Sequence, residues 1–240
     1  MHLALSMVLI KTDKRIHAMK NIEIFDGQRA QTYDSTINVW FDQYDTLIHL
    51  LKSVINTKLA EPKSYRILIL GSGTGNELLQ LATAFPQSEF VGVDPSAQMN
   101  EIAKEKTKGL TNVQIVEGTI DNLEGKFDAI TSILVTQFFE TATKKQIIRS
   151  IYEKLNRGGF LIHADAFGNS NQVNTNFEIY NSFLQFKHDF EGLKQGLDQV
   201  KNSLNYVDES RMEFLFKEAG FSSVTKFFQW LIFAAWLIEK

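Results

Sequence analysis

Cysteine is absent from this 240-residue chain. Disulfides, thiolate metal sites and cysteine nucleophiles are excluded with it, and the absence fits a reducing, cytoplasmic setting. Long apolar runs are missing too: no stretch reaches the ~20 residues of a membrane span. The segment Leu3–Ile10 is apolar but short. It has neither a positive leading region nor a small-residue cleavage site, so it reads as a local helix or annealing segment, not a signal peptide. There is no excess of positive charge. The 25 Lys and Arg face 28 Asp and Glu, for a formal charge of −3. The longest basic cluster, Lys104, Lys106 and Lys108, is interrupted by acidic residues. A duplex nucleic-acid binder needs a marked basic face, so neither nucleic acid nor a membrane is an expected partner. His2, His17 and His49 lack convergent ligand spacing, and no metal is expected. Repeats and low-complexity tracts are also lacking.

What the chain does have is an ordinary globular composition, 44% hydrophobic and 22% charged. That suffices for one large domain, or a domain with a cap, holding its core without staples. Trp40, Phe41, Tyr44, Leu47, Ile48, Leu51, Val54 and Ile55 recur at helical spacing. They predict an amphipathic helix that Pro62 ends, within a helical N-terminal extension over residues 1–64. From residue 65 strands and helices alternate. Strands are expected at Arg66–Leu70, Glu89–Val93, Val113–Glu117, Phe127–Ser132 and Phe160–Ala164. Helices are expected at Asn76–Phe85, Ala97–Lys108 with Ser96 as N-cap, and Lys144–Leu155. Such alternation predicts a parallel sheet with helices on both faces and right-handed crossovers. The rhythm breaks at about 168–208, a polar stretch dotted with Phe177, Tyr180, Phe183, Phe186 and Phe190, read as an inserted helical cap. A further helix, Arg211–Ala219, closes at Gly220. Val224–Gln229 and Leu231–Ile238 lie too close together for a crossover and predict an antiparallel pair.

The segment from Arg66 to Asn76 runs from a buried strand through Gly71, Gly73 and Gly75 into a helix. Glycine permits positive φ and lets a ligand lie against the backbone. The next helix offers free N–H groups, and the loop sits at the carboxyl edge of the sheet, where ligands bind. Asp94 ends the second strand about 20 residues on, where an acid meets a ribose hydroxyl pair. The dinucleotide pattern would place its last glycine at position 76, which is Asn76. The lysine of a P-loop is missing as well.

Taken together, the Gly71-x-Gly73-x-Gly75 loop, Asp94 and the terminal hairpin resemble the class I S-adenosylmethionine (SAM)-dependent methyltransferases, over roughly residues 25–240. Within them the chain is most similar to the branch of carboxy-S-adenosylmethionine synthase and related uncharacterised methyltransferases. The matching segments are Phe25-Asp26-Gly27 with Tyr33-Asp34, Gln137-Phe138-Phe139, Ile151-Tyr152 through Gly159, and Lys217-Glu218-Ala219-Gly220-Phe221. The resemblance implies a seven-stranded, mostly parallel, doubly wound Rossmann-like α/β sheet, with SAM as cofactor. It implies that Gly71, Ser72, Gly73 and Gly75 approach the methionine part and that Asp94, followed by Pro95, takes the ribose. Ala97 and Met99 would line the adenine, with Thr119 and Ile120 at its edge. Ile133 would touch the methionine portion and Tyr44 would close the pocket. It also implies a possible homodimer. Three positions depart from the family. Ile69 stands where an acid is usual. Thr119 replaces an Asp, with Asp121 as its substitute. Lys201 is nearest to the arginine that holds the extra carboxylate in the synthase.

Methyl transfer from a sulfonium is an in-line displacement of an activated group, so a protein mainly positions and desolvates. A base matters only for a protonated nucleophile. Asp165, at the end of the fifth strand beside His163, and His188, beside Asp189 in the cap, are the candidates. The expected activity is methylation of a small molecule. The alternatives are a SAM-binding protein without transfer, or a tRNA-modification enzyme related to the synthase.

Overall fold

The computed structural model describes residues 25–61, 63–187, 198 and 200–240. Leu3–Ile10, Pro62, His188, Asp189 and Phe190 lie outside them. Seven strands form one sheet: β1 (Arg66–Leu70), β2 (Glu89–Asp94), β3 (Val113–Glu117), β4 (Phe127–Ile133), β5 (Leu155–Ala166), β6 (Ser223–Trp230) and β7 (Phe233–Glu239), in the order β3-β2-β1-β4-β5-β7-β6. The first five strands run parallel, and β7 pairs antiparallel with both β5 and β6. The order reverses between β1 and β4, so the crevice for a ligand opens above those two strands.

The helices are α1 (Gln28–Trp40), α2 (Tyr44–Lys58), α3 (Asn76–Ala84), α4 (Ala97–Lys106), α5 (Thr141–Lys154), α6 (Ser170–Lys187) and α7 (Glu209–Ala219). Alternation along β1 divides the core in two. Ile67 and Ile69 face α2, α3 and α6, while Leu68 and Leu70 face the layer holding α5 and α7. The expected cap helix α6 lies flat on the sheet, with Val173, Phe177, Tyr180 and Leu184 buried. Its aromatics at 177 and 180 are therefore core. Phe186 is 92% exposed.

Three local features differ from the sequence reading. The single N-terminal helix is two, because Phe41 leaves the helical path, buries itself and stacks on Phe233 at 4.4 Å. β5 starts five residues early, directly after α5, and the register against β4 slips between Phe127 and Ala129. Gly158 takes φ +76 there, and a Cβ on Gly159 would lie 2.8 Å from the Asp128 carbonyl, so this irregular start needs both glycines. Ser96 occupies the N-cap of α4, but its hydroxyl accepts from the Phe25 N–H instead of capping the helix. The terminal hairpin turns on Leu231 and Ile232 alone, with Leu231 at φ +51.

Candidate cofactor site

The loop between β1 and α3 is tied to the neighbouring strand, because Gly71 N and Ser72 N both donate to the Val93 carbonyl, at 2.8 and 3.1 Å. Gly71, Gly73 and Gly75 all have positive φ. A Cβ on Gly71 would sit 2.5 Å from Val135 Cγ2, and one on Gly75 would sit 2.9 Å from Ala103 Cβ. Close packing therefore accounts for those two. Gly73 is different: the nearest atom to its absent Cβ is the Gly71 carbonyl at 4.0 Å. Its bare face is open, as a surface for a ligand must be.

Asp94 holds this loop in place. Its Oδ2 accepts from Gly73 N at 3.0 Å and its Oδ1 from Ser96 N at 2.9 Å. Burial pushes the carboxyl above its ordinary range, only partly offset by those two amides. Each oxygen keeps acceptor capacity for a further donor. Open backbone at Gly73 beside an acid with spare lone pairs fits the tail and ribose of a SAM-type nucleoside.

Tyr44, Gly71, Ser72, Gly73 and Ile133 line one crevice, joined by Tyr33, Thr74, Asn76 and Glu77. It holds about 20 Å³ of free space, room for about one water. α1 closes it. Asp34 accepts from Thr74 Oγ1 at 2.6 Å, Asn76 Nδ2 at 2.7 Å and Lys106 Nζ at 2.7 Å. Burial raises its carboxyl, but Lys106 and its other donors outweigh that and hold it below the usual range. Ahead of α1, Phe25 packs edge-on against Phe138, and Gly27 N donates to Gln98 Oε1. The segment thus spans the mouth from the β2 end to the β4 end.

Other residues named from the sequence lie elsewhere. Gly75, Asp94 and Pro95 are not among the residues that line the crevice, although Asp94 binds Gly73, which does. Met99 and Ile120 are buried in the core. Thr119 N donates to Asn122 Oδ1 at 2.8 Å, capping a short 3-10 turn. Asp121 accepts from Ser150 on α5. The sequence reading missed Tyr33 and Asp34 as site residues, although both stood in a segment quoted for the resemblance. It missed Glu77 altogether, because an acid in a helix's first turn has an ordinary explanation in the helix dipole.

Asp165, expected at the cleft edge as a base, is 1% exposed and points under the sheet. Its Oδ1 accepts from Gln137 N at 2.8 Å, and its Oδ2 accepts from Thr136 Oγ1 and, at 3.3 Å, from Lys144 Nζ. Burial raises the carboxyl, but the Lys144 ammonium and its other neighbours hold it below the ordinary range. His163 Nε2 sits 3.7 Å from the same oxygen, beyond hydrogen-bond reach. Asp165 is therefore closed to an acceptor, which corrects its reading as a base. The reason is strand parity: Ala164 and Ala166 take the cleft-side core and turn His163 and Asp165 to the other face. Lys201 lines a separate groove of about 560 Å³, together with Gly168, Asn169, Tyr206 and Arg211. Among the described residues no three His, Asp or Glu gather as metal ligands, and no helix is long and apolar enough to cross a membrane.

Residues 67–159 match the methyltransferase domain family. The chain is 25% identical over 228 residues to carboxy-S-adenosyl-L-methionine synthase of Helicobacter hepaticus, covering 90% of this chain and 94% of that one. An uncharacterised methyltransferase of Oceanobacillus iheyensis is 27% identical over 205 residues, covering 82% and 91%. Magnesium protoporphyrin IX methyltransferase of Synechocystis, solved with bound SAH, superposes with a TM-score of 0.61 at 16% identity, over 87% of this chain and 93% of that one. An O-methyltransferase family protein of Burkholderia thailandensis superposes at 0.64 with 13% identity, over 88% and 60%. The fold is the Rossmann-like methyltransferase fold. In the matched segment and in its fold the chain is similar to the class I SAM-dependent methyltransferases, and SAM is the cofactor of that class.

Proposed function

We propose that the protein transfers a methyl group from SAM to a small-molecule acceptor. The observation that carries this reading is the open backbone of Gly73 beside Asp94, whose two oxygens each keep room for another donor. Bound SAM supplies an already activated methyl group. The chain's residues bind, orient and exclude water: Gly73 offers bare backbone, Asp94 accepts hydrogen bonds from hydroxyls, and Tyr33, Tyr44 and Ile133 wall the crevice. No universal base is required for this chemistry. The segment from Phe25 through α1 and α2 acts as the cover, and the groove that begins at Gly168, just past β5, is the acceptor's approach. The amides and cations lining that groove suit a small polar acceptor. A cofactor bearing a further carboxyl group, as the synthase relatives' name suggests, would need a cation at the crevice to meet it. None of its lining residues is one, and Lys201 lies in the groove, which favours ordinary methyl transfer.

Calorimetric titration with SAM, followed by an assay for S-adenosylhomocysteine across a panel of small acceptors, tests the reading. Binding with turnover is the expected outcome. Binding without product on any acceptor would leave a SAM-binding protein without transfer. Product only with tRNA present would favour the modification reading, and absence of SAM binding would overturn the proposal.

A further inference from the structure

Glu77 is the second residue of α3, and its side chain turns inward from the helix's first turn. The residue is 7% exposed, and its Oε1 is buried without a hydrogen-bond partner. An orphaned buried carboxyl oxygen is costly unless something meets it. Among the described residues Glu77 is also the only acidic group lining the cofactor crevice, and no cation lines it. The strand rung beneath it is Ile69 paired with Thr131. Ile69 is fully buried and apolar, and the Thr131 hydroxyl is likewise buried without a partner. The crevice thus has a negative wall with no positive group of its own.

We infer that Glu77 receives the α-ammonium of the cofactor's amino-acid tail, supplying from α3 the counter-charge that β1 lacks at Ile69. This deepens the proposed function and rests on SAM binding in this crevice. The tail carries one carboxylate and one ammonium. The N–H groups of the first turn of α3 suit the carboxylate, and the ammonium then falls to the acid. Burial raises the Glu77 carboxyl to about 7, and an arriving cation lowers it again. Binding at pH 7 therefore releases about half a proton. The other titratable groups facing this wall are Tyr33 on α1 and Tyr44 on α2, both pushed well above their usual range by burial. Beside them lie Asp34, held low by Lys106, and Asp94 at the end of β2, raised by burial.

The test is titration calorimetry of wild type and E77Q with three probes: SAM, S-adenosylhomocysteine, and 5′-methylthioadenosine, which lacks the tail. Repeating the SAM titration at pH 7 in buffers of different ionisation enthalpy counts protons. E77Q keeps the side chain's size, and circular dichroism checks that it folds. The expected result is a loss of about tenfold or more for SAM and S-adenosylhomocysteine, as for a lost charge-assisted hydrogen bond. Affinity for methylthioadenosine stays unchanged, and the proton release of wild type disappears. Equal losses for all three probes would make Glu77 structural and overturn the inference. A loss for SAM alone would move the contact to the sulfonium and overturn the ammonium assignment, as would no loss at all. Failure of wild type to bind any probe would instead sink the cofactor reading itself.

Discussion

Asp94 and Glu77 are two acids near one crevice, and the sequence announced only the first. Asp94 was legible because a strand end about 20 residues past a glycine loop has a known geometric job. Glu77 sits in an amphipathic pattern where a charged first turn is common, so only its burial marks it. That burial has a consequence for stability. Its folded value near 7 lies above the unfolded 4.5, so the unfolded chain binds fewer protons between those limits. Wild-type stability is then full below about pH 4.5 and falls as pH rises toward 7. The shift corresponds to about 3 kcal/mol. Denaturant melts of wild type and E77Q from pH 4.5 to 8 should show E77Q gaining on wild type by roughly that amount, and parallel curves would contradict the burial. At Asp94 the amide of D94N cannot serve both the Gly73 and Ser96 N–H groups. That variant should lose about 1–3 kcal/mol of stability and bind SAM at least about tenfold more weakly, as calorimetry would read.

Between elements, the glycine loop and its cover act together. The alternation of strands and helices was readable from β1 onward, because that strand, buried on both faces over residues 67–70, is an unbroken apolar run. The break at Phe41 was not, since it depends on a ring finding Phe233 nearly two hundred residues away in the chain. The early start of β5 was not either, because Arg157-Gly158-Gly159 reads as a stop when its register slip against β4 is unseen. The loop predicts a separable pair of variants. G71A drives a methyl into Val135 and G75A one into Ala103, so both should melt lower by about 1–3 kcal/mol. G73A meets only the Gly71 carbonyl, at 4.0 Å, and bears the roughly 1–2 kcal/mol of positive φ, yet it occupies the ligand's face. It should keep its fold and lose SAM binding, which calorimetry beside a thermal melt would show. The cover predicts a motion. About 20 Å³ beside the loop admits no nucleoside, so α1 must lift and reclose. Amide exchange over residues 28–40 should slow when SAM is added, and D34A, which unties Thr74, Asn76 and Lys106, should remove that protection.

Across the whole molecule, the parallel sheet followed from strand–helix alternation and the antiparallel end from a link too short for a crossover helix, whereas the strand order itself did not follow. The direction of Asp165 did not follow, because the run His163-Ala164-Asp165-Ala166 alternates without saying which face is the cleft. Its true place joins the two halves of the core. Lys144 from α5, fully buried, donates to the Thr136 carbonyl at 2.7 Å and to Asp165. Asp165 fixes Thr136 and Gln137, and Gln137 Oε1 in turn accepts from Ala166 N. Just upstream, Leu134 at φ +59 and Val135 lead back to the crevice, where Val135 packs on Gly71. A buried ion pair need not stabilise the fold relative to apolar residues, but removing one member leaves the other uncompensated, at about 3–5 kcal/mol. D165N should therefore lower the melting temperature by about 10 °C, while D165N with K144M, which removes the stranded ammonium, should regain at least half of that. The carboxyl lies below its ordinary range, so its contribution is present above about pH 4 and lost as pH falls through its lowered folded value. Because the pair also sets the turn behind Val135, D165N should weaken SAM binding even at temperatures where it is fully folded. If binding is unchanged while the melt drops, the pair serves the core alone and the route from the far face of the sheet to the glycine loop does not exist.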